Sequence, residues 1–260
     1  MNPKRSGSQT VPRREVADEA APNHAGAFTL RELLVVVGTI SALGVVALSA
    51  RPASGHAASL AQCLNNVRQI CQASRMYESD YQDYVVYPNW GAQNPGWLYT
   101  PNPPGSGPPP FPGSNPLSVY QDGKLWPYIR NMAVYACPTD STNSPSWAAR
   151  LNRLSTYTMN GAVVGFQGAP PLGTPTYRAS EFRFPAAVLF WEPADNSSSY
   201  NDGAAIPNIS EGPTTRHITG CMIGCLDGHA QVLRHSDAYP LMVSGSANEL
   251  WCNPGSSNGR

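Results

Sequence analysis

Three groups of side chains in this chain have the types and spacing to do chemistry. The first is His217, Asp227 and His229, with Asp140 and His235 as further candidates. Imidazoles and carboxylates are ordinary metal ligands. One reading places His217 and Asp227 near each other on a two-stranded hairpin as a metal site. The alternative is structural: Asp227 bonds its own backbone in a turn and His217 bonds across a loop. The second group is the six cysteines, 63, 71, 137, 221, 225 and 252. Outside the cytoplasm that number serves one to three disulfides. Cys63 and Cys71, eight apart on one helix, are separated by about 12 Å of rise, beyond disulfide reach. No C-x-x-C is present, which argues against a zinc knuckle. The third group is Asp80, Asp83 and Asp122, which either cap a helix end or bind a cation. No Ser, Cys or Lys stands in a recognisable nucleophile motif, so no catalytic residue is assigned and no enzyme is expected.

The elements that must position these groups are read from composition and periodicity. Lys+Arg and Asp+Glu are both 17, so the net charge is zero, against a nucleic-acid protein. Charged residues make up 13%, about half the usual share. Gly 23 and Pro 26 mark a loop-rich chain, while 41% apolar content is too high for wholesale disorder. Leu33 to Ala50 is an uncharged apolar run of 18 residues, which predicts a transmembrane helix. Lys4, Arg5, Arg13 and Arg14 precede it, so the N-terminal flank is expected in the cytoplasm.

Beyond that run, Leu60, Cys63, Leu64, Val67, Ile70, Cys71, Ser74 and Tyr77 recur at helical spacing. The helix is expected to continue to about Ser79, with a kink at Pro52 and Gly55. Residues 88 to 116 contain ten prolines and five glycines, which predicts an extended surface loop. Trp90, Trp97, Tyr99 and Phe111 either tack that loop down or bind a ligand. Short apolar runs then alternate with turn signals: Leu125–Ile129, Val134–Cys137, Ser155–Met159, Val188–Trp191, Cys221–Leu226 and His229–Leu233. They suit an antiparallel sheet, with Asp227-Gly228 as a hairpin turn.

Two sets of residues then carry a family resemblance. Ala27-Phe28-Thr29-Leu30-Arg31-Glu32-Leu33-Leu34-Val35-Val36, running straight into the apolar segment, resembles the processing site of type IV prepilins and type II secretion pseudopilins. In that family a prepilin peptidase cuts before the Phe and methylates its amine, and a glutamate stands at mature position five. The resemblance implies processing at Gly26-Ala27-Phe28, with Glu32 as that glutamate. Ala27 replaces the usual Gly, and Arg31 the usual aliphatic residue. Cys63-Leu64-Asn65-Asn66-Val67-Arg68-Gln69-Ile70, Leu125-Trp126-Pro127-Tyr128-Ile129, Cys137-Pro138-Thr139-Asp140 and Ser155-Thr156-Tyr157-Thr158-Met159-Asn160-Gly161 follow in order. With His217, nine residues, then Asp227-Gly228, they resemble a planctomycete and verrucomicrobial pilin-like family with an H-X9-DG signature.

What the resemblance implies is an α+β, pilin-like fold. A long N-terminal helix, transmembrane in its first half, packs on an antiparallel sheet with long Pro/Gly-rich loops. The domains follow: a cleaved cytoplasmic leader at 1–27, a transmembrane helix at 28–50, its continuation at 51–86, a head at 87–252 whose loop is 87–116, and a flexible tail at 253–260. The resemblance also implies a disulfide between Cys63 and Cys137, stapling helix to sheet. Some pseudopilins hold calcium in a C-terminal loop, so calcium at His217 and Asp227 is the alternative to no cofactor. The implied function is a filament subunit for type II-like secretion or fibre formation. Its implied partners are a prepilin peptidase, other pilin subunits, an assembly platform and its ATPase. The implied location is a single pass through the bacterial inner membrane with a periplasmic head. The other reading is an anchored binding module for a polysaccharide or protein ligand.

Overall fold

A computed structural model of the chain describes residues 29–49, 55–109, 116–143, 145–168, 170–195, 198–214, 216–218 and 220–260. The chain divides into two compact units, Met1–Pro52 and Ala53–Arg260. The leader 1–27, and with it Gly26, Ala27 and Phe28, lies outside the described residues, as does Phe111.

In the first unit one helix, α1, runs Leu30–Ser49. Thr29 and Glu32 start it with a capping box. The Thr29 backbone N–H donates to Glu32 Oε2 at 2.9 Å, and the Glu32 N–H donates to Thr29 Oγ1 at 3.3 Å. Among the described residues no helix is long and apolar enough to cross a membrane. That finding overturns the transmembrane helix and the single-pass inner-membrane location with a periplasmic head. The length of the helix gives the reason. Its uncharged part, Leu33 to Ser49, rises about 26 Å, short of a hydrocarbon core of about 30 Å.

The second unit contains helices α2 (Gly55–Asp80), α3 (Pro116–Gln121), α4 (Trp126–Ile129), α5 (Pro145–Ala149) and α6 (His235–Val243). Its strands are β1 (Thr158–Asn160), β2 (Val188–Trp191), β3 (Ala204–Ala205), β4 (Gly220–Cys225) and β5 (Ala230–Arg234). The sheet order is β3-β1-β2-β4-β5. All neighbours are antiparallel except β1 and β3, which run parallel. The sheet is therefore mixed, not antiparallel as expected. The long connection after β2 brings Ala204–Ala205 in beside β1, where the Met159 N–H reaches the Gly203 carbonyl at 3.0 Å.

Alternation along β4 builds two cores. Met222 and Leu226 face Val67, Ile70 and Cys71 of α2. Cys221, Ile223 and Cys225 face the other way, with Ala238 and Met242 of α6 and with Leu250. Gly224 lets α2 approach: a Cβ there would lie 2.1 Å from Cys71 Sγ and 2.9 Å from Val67 Cγ1. Asp227-Gly228 turns the β4–β5 hairpin, with Gly228 at φ +91°.

Two expected strands are helical. In the Leu125–Ile129 run, Trp126–Ile129 forms α4 with Leu125 as its N-cap and Pro127 in its first turn, where a missing N–H costs nothing. The Val134–Cys137 run begins inside a 3₁₀ turn, Met132–Tyr135, which Asn131 caps by accepting from the Ala133 N–H at 3.1 Å. The expected surface loop is buried or half-buried over 88–101, while 102–106 are exposed as expected. Trp97 and Tyr99 are fully buried. The Trp97 indole N–H donates to the Gly203 carbonyl at 2.9 Å. Residues 253–260, expected as a frayed tail, fold back instead. The Asn253 N–H donates to the Gly259 carbonyl at 3.0 Å, and the Arg260 guanidinium lies 3.7 Å above the Trp251 ring.

Candidate functional site

Four side chains from distant parts of the head meet beneath α2: Cys63, Cys137, Glu192 and His217. Local structure fixes each one. Cys63 lies on the face of α2 that carries Val67 and Ile70 into the core. Cys137 follows the 3₁₀ turn, and its backbone N–H donates to Thr156 Oγ1 at 2.6 Å. Asn66 ties the same turn to α2 by donating to the Ala133 and Ala136 carbonyls at 3.3 and 2.9 Å. Glu192 is the first residue after β2, and its Oε2 accepts from the Met222 N–H at 2.9 Å. His217 exchanges both backbone hydrogen bonds with Gly220, at 3.0 and 2.7 Å, just where β4 begins.

The inward-facing atoms are close. His217 Nε2 lies 3.1 Å from Glu192 Oε1 and 3.7 Å from Cys137 Sγ. Cys137 Sγ also contacts Thr139 Oγ1 at 2.9 Å. The potential ligand atoms of all four residues lie within 4.8 Å of one another. Cys63, Glu192 and His217 are fully buried and Cys137 nearly so. The neighbouring Cys63 and burial push the Cys137 thiol up, away from the thiolate a nucleophile needs. Hydrogen bonding to Cys137 and Glu192 raises His217 to about 9. Among the described residues His217 Nδ1 has no hydrogen-bond partner, and the His56 ring lies 6.5 Å from the His217 ring.

An ionic lattice braces the loops that carry these residues. Asp140 accepts from Arg150 Nη1 and from Arg216 Nη1, each at 2.7 Å. Arg150 also pairs with Asp195, three residues beyond Glu192. Its guanidinium sits between the Tyr200 ring at 3.9 Å and the Trp147 ring at 4.8 Å. Removing one partner would leave a buried charge, so the lattice holds the loops in register.

The structure therefore sorts the residues singled out from sequence. Cys63 and Cys137 come together, as free thiols. His217 joins them. Asp227 does not: it lies at the far end of β4, about 20 Å of strand away. There Asp227 Oδ1 accepts from the His229 N–H at 3.1 Å and contacts His229 Nδ1 at 2.5 Å. The paired His217–Asp227 cation site is thus corrected: a six-residue strand separates the two ends of the motif. Glu32 lies in the α1 cap, where its bonds to Thr29 hold the carboxyl below the usual carboxylate range. Glu192 escaped the sequence reading. Its signal is an acid placed directly after the four-residue apolar run Val188–Trp191, where a solvated charge has no room. No family model matches the chain, and no curated protein and no solved structure is significantly similar to it.

Proposed function

We propose that the chain is a structural, non-catalytic subunit of a pilin-like filament, in which α1 packs against the α1 helices of other subunits and the heads lie outside. The observation that carries this reading is the surface of α1. Leu33, Leu34, Val35, Val36 and Val37 are each 44–65% exposed. Five consecutive residues at about 100° each go all round a helix. A helix that is apolar all round needs to be covered on every side, and a bundle of like helices does that. On this reading a prepilin-type peptidase exposes the Phe28 amine, Glu32 of one subunit neutralises that amine on the next, and an assembly platform with its ATPase adds subunits.

The capping box supplies a clean test. Glutamine at the third helical position keeps the cap but removes the charge. Glu32→Gln therefore separates local helix initiation from pairing in trans. The expected result is a variant that accumulates with a mature N-terminus at Phe28 by mass spectrometry, yet yields several-fold less sheared filament than wild type. Equal filament yield would remove the support for this reading.

One further observation favours a second reading, a binding head. An open groove of about 410 Å³ is lined by Tyr77, Tyr81, Tyr84 and Gln82, with the Tyr77 and Tyr81 rings stacked at 4.2 Å. Aromatic faces beside amide groups suit the apolar faces and hydroxyls of a polysaccharide. Glycan binding that is lost in Tyr81→Ala, with filament yield unchanged, would favour it.

A further inference from the structure

We propose that Cys63, Cys137, Glu192 and His217 bind one zinc-type transition-metal dication in a closed, tetrahedral S2NO site that fastens α2 to the sheet. The donor set is the first argument. Two sulfurs, one imidazole and one carboxylate are the ligands zinc takes, whereas calcium and magnesium take oxygen alone. Distance is the second. The four donors already lie within 4.8 Å of one another. Ligands bound at zinc distances stand roughly 3.3–3.8 Å apart, so the cage closes with side-chain shifts of about 1 Å.

Glu192 and Cys137 have outer contacts of the kind that metal ligands use, whereas His217 Nδ1 has none among the described residues. Met222 N–H holds Glu192 Oε2, which leaves Oε1 facing the cluster. The Thr139 hydroxyl lies 2.9 Å from Cys137 Sγ, placed to donate to a thiolate. Such outer contacts orient ligands and tune their basicity. Charge is compensated in part. Binding displaces the sulfur protons and any proton on Nε2 to solvent, leaving two thiolates, a carboxylate, a neutral imidazole and the dication. The remaining single negative charge lies in the field of the Arg216 guanidinium, which Asp140 also holds. Four protein ligands in a buried pocket leave no open position, which makes the site structural rather than catalytic. Its ligands come from α2, the loop after the 3₁₀ turn, the end of β2 and the approach to β4, so one ion ties four segments together.

The test uses the full chain, purified with reductant, stripped with chelator and reloaded with zinc or cobalt(II). The expected result is one metal per chain, with thiolate-to-cobalt charge transfer and the intense ligand-field absorption of a tetrahedral site. Cys63→Ser and Cys137→Ser should each weaken binding by more than about tenfold and reduce the charge-transfer band. Glu192→Gln should weaken binding by about tenfold while keeping that band. A wild-type measurement guards against variants that fail to fold: Cys63 and Cys137 should resist alkylation in the loaded protein and react once chelator is added. Three results would each overturn the proposal. They are no metal above background after reloading, equal binding in all variants, or a Cys63–Cys137 disulfide in metal-free protein isolated without oxidant. Filament yield plays no part in this readout, so its failure and that of the filament reading remain distinguishable.

Discussion

Glu78 lies on α2 among groups that do not want its charge. It is 2% exposed, and its carboxylate receives the Ser74 hydroxyl at 3.2 Å and the Arg75 guanidinium. Burial outweighs both, with Asp83 adding repulsion, and raises its pKa to about 7. The sign follows from linkage. A carboxyl whose folded pKa is raised favours the folded state in its neutral form, fully so below the unfolded value of 4.5. That favour is lost as pH rises through about 7. Asp202, raised to about 6 mainly by burial, acts in the same direction. Glu78 alone amounts to about 3 kcal/mol of stability lost between about pH 4.5 and pH 8. Glu78→Gln should flatten that share of the dependence, read as the unfolding free energy from urea titrations across the range. A variant with the wild-type slope would contradict the assignment. None of this could be read from the helical spacing that located Cys63, Val67 and Ile70. Spacing marks the apolar face, and Glu78 becomes buried because neighbours remote in sequence close over it. Glu192 was hidden for the same reason.

Elements were legible where one physical signal dominated. The apolar run Cys221–Leu226 marked a strand and Asp227-Gly228 marked the hairpin, because a short apolar run and a positive-φ turn are local properties. Leu125–Ile129 and Val134–Cys137 were misread because a run of four or five apolar residues fits a strand or one helical turn equally well. Proline in the first turn and an asparagine cap decided both cases. The packing of α2 on β4 yields a prediction at this scale. Gly224 is the contact point, and the Cβ of Gly224→Ala would overlap Cys71 Sγ and Val67 Cγ1. The variant should lose about 1–3 kcal/mol of stability. Double substitution with Cys71→Ala should restore part of that loss, because it removes the closer obstruction. A single variant as stable as wild type in urea would show that α2 can move away at no cost.

For the whole molecule, the α+β class was readable, whereas the mixed sheet and the packed C-terminal segment were not. Which strand lies beside β1 is settled by a long connection and by contacts across it, and no local pattern records that. The C-terminal segment shows how much depends on such contacts. The Glu249 carbonyl accepts from the Val188 N–H at 2.8 Å, and the Leu250 carbonyl accepts from Asn160 Nδ2 at 2.8 Å. Leu250, Trp251 and Cys252 are buried. Fully burying a large apolar side chain contributes about 1.5–3 kcal/mol. A chain ending at Asn248 should therefore lose about 5 kcal/mol, comparable with the entire stability of many domains. It should show weakened near-ultraviolet circular dichroism and rapid proteolysis. A cooperative unfolding transition at the wild-type midpoint would contradict this.

The return of residues 249–252 to β1 and β2 also sets the order of events during synthesis. The Val188 N–H and the Asn160 side chain, made early in the head, wait for the carbonyls of Glu249 and Leu250. The strands can pair from β3 to β5 before that segment is made, but the face of Val188, Trp191 and Ile223 lacks Leu250 until it arrives. That face stays open to other chains until residues 249–252 have emerged and packed, so a stall shortly before residue 249 exposes an aggregation-prone surface.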